Sequence, residues 1–199
     1  MVASRIMTAQ DFAAGKFDLP EGGRWHELHF GKPQMMSAPD DLHGVIVLNL
    51  SRALAQWLAS RRAQKTCYAV HDVGLHVQRD PDTVLVPAMS VFTSGLPFSQ
   101  SDMVVASEVP ALVIDVASSN DRRREMRLRT TACLALGVNT IWIPDPFKKE
   151  VQVIRRGAHT LALGKWQTLD GGSVLPDFTM PVEKVFAQPE WWTGKVKHE

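Results

Sequence analysis

Apolar positions in this chain recur with two periods, and the two alternate along its length. A spacing of two marks strands covered on one face, and a spacing of three to four marks helices. Thr8 to Ala14 reads as a short helix, with Thr8 as cap and Asp11 in its first turn. Arg24 to Gly31 alternates, and Lys32-Pro33 opens a second extended stretch to Met36, so the two form a hairpin. Leu42, Ile46, Leu50, Ala53, Leu54, Trp57 and Leu58 then draw one apolar stripe on a helix spanning about Leu42 to Ala63. Asp40 or Asp41 caps it, and Arg61, Arg62 and Lys65 complement the dipole at its far end.

Tyr68 to Gln78 alternates again, Asp80-Pro81-Asp82 turns the chain, and Val84 to Phe92 is an apolar strand interrupted by Pro87. Thr93 to Ser107 is polar and reads as loop. Leu112 to Val116 is apolar apart from Asp115, the pattern of a strand buried on both faces. Ser118-Ser119-Asn120-Asp121 has helix-cap character, and the helix that follows runs from Asp121 to Leu136, where Gly137 ends it. Asn139 to Ile143 is a buried strand stopped by Pro144-Asp145-Pro146. Glu150 to Arg155 and Thr160 to Leu163 form an edge hairpin around Arg156-Gly157. A last short strand is expected near Val174-Leu175, and a helical turn from Pro181 to Phe186. The order of elements predicts an α/β fold: a mixed sheet flanked by two main helices.

Composition narrows the picture without deciding it. The 199 residues suit one domain with its own core, expected over residues 1–187, followed by a polar and aromatic tail over 188–199. A hydrophobic fraction of 45% and a charged fraction of 22% are those of an ordinary globular protein. The 22 Lys and Arg nearly cancel the 21 Asp and Glu, so a nucleic-acid partner requires local segregation of charge. Cys67 and Cys133 have no metal-type spacing and read as reduced thiols. No apolar run reaches the ~20 residues that span a bilayer, and the start is no signal peptide, so the cytoplasm is expected.

Three features carry candidate chemistry. Asp115 is a carboxylate in a buried strand, which costs several kcal/mol unless it is paired, protonated or metal-bound. Its alternatives are an ion pair with a nearby arginine, a cap on backbone N–H groups, or a place in a metal site. Arg122, Arg123, Arg124, Arg127 and Arg129 form the densest basic cluster; Arg122 and Arg129 share one helix face, and Arg123 and Arg127 another. That cluster is either a solvated helix surface or a phosphate-contacting one. His43, near a helix start, is a capping or dipole partner or a catalyst. His26 and His29 point to opposite faces of their strand and are no metal pair.

Several landmarks in register give the chain a resemblance. They are His26-Glu27-Leu28 with Gly31, Ser37 and Pro39 with His43, Pro87-Ala88-Met89, Asp115-Val116 with Ser118 and Asp121, Gly137-Val138 with Trp142 and Asp145-Pro146, and Leu175-Pro176 with Phe178 and Phe186. On these the chain resembles a bacterial family of restriction-endonuclease-like proteins of unknown function, a branch of the PD-(D/E)XK nuclease superfamily. The resemblance covers about Thr8 to Phe186. It implies a restriction-endonuclease-like fold, Mg²⁺-dependent hydrolysis of DNA, and a homodimer.

The departures fall on the chemistry. The resemblance implies two carboxylates that hold Mg²⁺ beside the scissile phosphate and a lysine close by. Ala88 stands at the first carboxylate position, Asp115 stands where a glutamate is implied, and Arg129 stands at the lysine. An arginine stays protonated and cannot act as a base. Cys133 replaces the tyrosine that follows in the same helix. If the centre works, Asp115 and Glu27 hold the Mg²⁺, Arg129 braces the phosphate, and His43 assists. The expectation is a degenerate centre, with a non-catalytic nucleic-acid-binding or self-associating module as the alternative.

Overall fold

A computed structural model describes residues 6–60, 66–95, 103–189 and 192. In chain order its elements are α1 (Ala9–Gly15), two short 3-10 turns (Lys16–Asp18 and Pro20–Gly23), β1 (His26–His29), β2 (Lys32–Met35), α2 (Asp41–Ser60), β3 (Tyr68–His71), β4 (Leu75–Gln78), β5 (Thr83–Leu85), β6 (Met89–Phe92) and β7 (Leu112–Ile114). There follow α3 (Asn120–Leu136), β8 (Thr140–Asp145), β9 (Glu150–Arg155), β10 (Leu161–Leu163), β11 (Thr168–Asp170), β12 (Thr179–Pro181) and α4 (Val182–Val185).

The strands form two main sheets and a ribbon. A six-stranded sheet has the order β10-β9-β8-β7-β6-β3, a four-stranded sheet the order β2-β1-β5-β4, and β11 pairs with β12. Among the named strands only β7 and β8 run parallel, joined by α3 as the crossover; their other ladders are antiparallel, and a single parallel bridge links Gly74 to Val105. The expected mixed sheet is therefore the six-stranded one, and the amino-terminal hairpin belongs to a second sheet.

The short central strand β7 explains how the layers are held. Leu112 and Ile114 join Ile46, Leu50, Leu54 and Trp57 of α2 in one core, while Val113 packs with Met126 and Cys133 of α3 in another. Each face of the strand thus has its own helix, which is why its residues are apolar without alternation. Ser119 caps α3 by accepting the Arg122 N–H at 3.1 Å, and Gly137 ends it with φ +123°, a conformation that favours glycine. Thr8 and Asp11 form a reciprocal capping box at α1.

Four expectations need correction. Val84 to Phe92 is not one strand: Pro87 lacks the N–H to continue a ladder, and the chain passes there from β5 in one sheet to β6 in the other. Tyr68 to Gln78 likewise divides into β3 and β4 in different sheets. β8 runs past the expected end at Ile143 through Pro144 to Asp145, which pairs with Glu150, and stops before Pro146. Val174-Leu175 is not a strand; that segment is the turn between β11 and β12. The far end of the long helix beyond Ser60, and most of the tail reading, lie outside the described residues. Among the described residues no helix is long and apolar enough to cross a membrane.

Candidate functional site

The two sheets meet at the Val86–Ala88 crossing, and three buried charges converge there. Glu27 is the second residue of β1 and is 1% exposed. Its Oε1 accepts the Val86 N–H at 2.7 Å and so pins the crossing segment. Its Oε2 accepts from Arg129 Nη1 at 2.6 Å and lies 3.0 Å from His29 Nε2. Asp115, one residue beyond β7, accepts from Arg129 Nε at 2.5 Å through Oδ2. Arg129 comes from the middle of α3, on the buried stripe that also carries Met126 and Cys133. One guanidinium therefore bridges carboxylates from two sheets. A glutamate on a hairpin is ordinarily an exposed, solvated charge. Instead β1 lies inside its sheet, between β2 and β5, and the Arg129 charge permits burial there.

The electrostatics follow from this packing. Burial alone would raise the Glu27 pKa. The Arg129 charge, with hydrogen bonds from His29, Arg129 and the Val86 amide, outweighs it and holds the carboxyl at about 2. Burial opposes charge on Arg129 too, yet Asp115 and Glu27 raise its affinity for the proton above the usual arginine range. Burial, and then the nearby Asp115 charge, push the Cys133 thiol up to about 12. Cys133 fills the wall beside Arg129 and supplies no reactive thiolate.

Arg122 points inward from the first turn of α3, its Nη1 3.5 Å from Asp115 Oδ1. Among the described residues that oxygen has no hydrogen-bond donor, and Arg129 Nη2 is likewise buried without an acceptor. Ala88 is the residue just before β6. Since Met89 pairs with Ile114, one further step in the register sets Ala88 opposite Asp115. Ala88, which stands at the first carboxylate position of the resemblance, thus faces Asp115 with a methyl group.

A cavity of about 570 Å³ opens over this junction. Glu27, Ala88, Arg122, His43 and Lys16 line it, together with Tyr68 and Phe92, which stack at 5.0 Å between ring centroids. His43 sits in the first turn of α2, where its N–H donates to Asp40 at 2.8 Å, and its Nδ1 lies 3.4 Å from Ser118 Oγ. Burial and then the Arg122 charge lower its pKa, so the ring is neutral at pH 7. Lys16 is also depressed by burial, an effect opposed by Asp72 and Glu27.

The candidate residues thus fall into groups. Glu27, Asp115, Arg129, Arg122 and His43 are brought to one junction. Arg123, Arg124 and Arg127 are not: Arg124 pairs with Asp121 on the exposed side of α3, and Arg123 lies over the Phe147 ring at 4.2 Å. Arg127 is exposed. Among the described residues, no three His, Cys, Asp or Glu side chains converge in a metal-binding group. Two contributors were missed in the sequence. His29 shares a strand face with Glu27 by the period of two, a signal that was available; Lys16 comes from a 3-10 turn with no periodicity to announce it.

Comparison with known proteins bears on the family and the fold. The sequence profile of the Uma2 family, described as "Putative restriction endonuclease", matches residues 16–183. The chain belongs to the Uma2 family. Among solved structures, it is similar to a "putative nuclease belonging to DUF820" from Anabaena variabilis, with a TM-score of 0.64 and 20% identity over 90% of this chain and 97% of that one. At that identity the likeness shows a shared fold. No curated protein matches the chain. Within the Uma2 family, then, this member has Ala88, Asp115 and Arg129 at the junction of its two sheets.

Proposed function

We propose that this Uma2-family chain is a nucleic-acid-binding protein of the nuclease fold in which an internal ion pair has replaced the divalent-metal centre. The observation that carries the reading is Arg129 bridging Glu27 and Asp115. Mg²⁺ requires near-octahedral oxygen ligands, usually including one or two carboxylates. Here Glu27 Oε1 is taken by a backbone amide, and Glu27 Oε2 and Asp115 Oδ2 by a guanidinium. Ala88 offers no donor. Asp115 Oδ1 is the acid oxygen left over, and the Arg122 guanidinium stands 3.5 Å from it. A divalent ion placed there would meet two positive side chains and one carboxylate oxygen. The donor set does not fit the metal.

Without a metal, no group at the junction lowers the pKa of an attacking water, and the Arg129 charge that could offset charge on phosphorus is already shared by Glu27 and Asp115. Neutral His43 can accept a proton, but base catalysis alone contributes far less than phosphodiester hydrolysis requires. The chain's own residues keep the fold closed and leave phosphate binding to arginines. Nucleic acid as partner, and a second copy of the chain in a homodimer, belong to this proposal; both follow the family resemblance.

The test is plasmid cleavage in Mg²⁺ or Mn²⁺. Wild type is expected to leave the plasmid intact, and Ala88→Asp combined with Arg129→Lys to gain metal-dependent nicking. Robust wild-type cleavage that Asp115→Ala abolishes would overturn the proposal and favour the active reading, in which Glu27 and Asp115 hold Mg²⁺ and Arg129 braces the phosphate.

A further inference from the structure

Helix α3 carries two arginine stripes, and only one of them faces the junction. Arg122 and Arg129 turn inward to the carboxylates. The neighbouring stripe, Arg123 and Arg127, lines a separate groove of about 820 Å³ between α3 and strand β9. From the β9 side the groove receives Arg155 and Arg156. Its floor is apolar, with Met126, Leu134, Ile143 and Ile154, and no Asp or Glu lines it.

A chain with a formal net charge of +1 has thus gathered four guanidiniums on one concave strip without an acid among them. Two of the four are held by partners at the strip's margin. Arg155 Nη2 donates to Asp170 at 2.7 Å, and Arg123 stacks on Phe147 with Asp145 at 3.9 Å. Arg156 donates to the Leu134 carbonyl at the end of α3, which fixes its position and offsets its charge only in part, through the helix dipole. Arg127 and Arg156 are exposed, and among the described residues no carboxylate lies within ion-pair distance of either.

We infer that this groove is a nucleic-acid backbone site, separate from the cavity over Glu27 and Ala88. Guanidiniums set along a strip match the regular phosphates of a strand, and their planar forks bond phosphate oxygens in pairs. The apolar floor suits the sugars between phosphates and offers no base-reading groups, so binding is independent of sequence. A polyanion of flexible, irregular charge spacing gains less from fixed forks; this commits the groove to nucleic acid over an acidic peptide. The inference rests on the nucleic-acid part of the proposal above and not on the state of the metal centre.

The test measures binding of a fluorescein-labelled random 30-mer, single-stranded and duplex, by fluorescence anisotropy at several salt concentrations. With about three phosphates engaged, affinity for duplex should fall about 40-fold between 50 and 200 mM salt. Arg127→Ala with Arg156→Ala should weaken binding at least tenfold at low salt and flatten the log–log slope by about 2. Arg127→Ala alone, on an exposed helix position, should give about half of that change in slope and serves if the double variant melts early. Binding unchanged in both variants would overturn the groove, as would polyglutamate binding as tight as DNA. Because plasmid nicking by the restored-centre variant does not depend on Arg127 or Arg156, failure here leaves the metal-centre proposal standing, and the reverse holds too.

Discussion

Replacing Arg129 with methionine removes the one charge shared by two buried carboxylates while keeping most of the side-chain volume. Glu27 is 1% exposed and Asp115 5%, so neither can reach water without opening the junction of the two sheets. Breaking a buried ion pair from one side costs about 3–5 kcal/mol, because the remaining charge stays desolvated. The escape route gives a similar figure. If Glu27 protonates instead, and its pKa only relaxes to the ordinary 4.5, neutralising it at pH 7 costs about 3 kcal/mol. For a chain of this length that corresponds to a Tm lower by roughly 6–20 °C.

The pH dependence fixes the cause. In the wild type the folded pKa of Glu27, about 2, lies below its ordinary value of 4.5. Its stabilisation is therefore complete above about pH 4.5 and is lost as pH falls toward 2, by about 3 kcal/mol in all. In Arg129→Met this depression is gone, so the gap between variant and wild type should narrow from pH 7 to pH 4 and below. Urea titrations at pH 7, 5, 4 and 3 measure both effects. A variant within about 1 kcal/mol of wild type at pH 7, or a gap that widens on acidification, would refute the reasoning.

Other outcomes follow from single contacts. Cys133, with its thiol held up at about 12, should resist a thiol reagent at pH 8 in the folded protein and react on unfolding; fast labelling in the native state would contradict its burial. Gly23→Ala should destabilise by about 1–3 kcal/mol in urea, since φ is +70° and a Cβ would stand 2.0 Å from the Lys16 carbonyl oxygen. Thr8→Ala removes half of the capping box of α1 and should cost about 1 kcal/mol, read the same way. Ala88→Asp alone adds a third carboxylate opposite Asp115, so it should lower Tm at pH 7 in EDTA by more than it does at pH 4.

The elements that follow from periodicity were legible in the sequence. The stripe of α2, the caps at Thr8 and Ser119 and the two-faced burial of β7 are local or nearly so. What was not legible is how strands are shared between sheets. Alternation states that Tyr68 to Gln78 is extended, but not that its halves join different sheets, because pairing partners are set by contacts far along the chain. The candidate site shows the same division. Asp115 announced itself as an acid in an apolar run, and two of its alternatives were an arginine partner and a metal. The facing of Arg122 and Arg129 followed from helix spacing. That Glu27 is buried, and that Arg129 spans 102 residues of sequence to reach it, depends on how two sheets and α3 pack, and no local pattern encodes it.

The central claim is that an arginine and an alanine have closed the metal centre. Isothermal titration of Mn²⁺ into wild type and into Ala88→Asp/Arg129→Lys, with Asp115→Ala as control, tests it most directly. No saturable heat is expected for wild type or control, and a single-site isotherm for the double variant. Saturable Mn²⁺ binding by wild type that disappears in Asp115→Ala would contradict it.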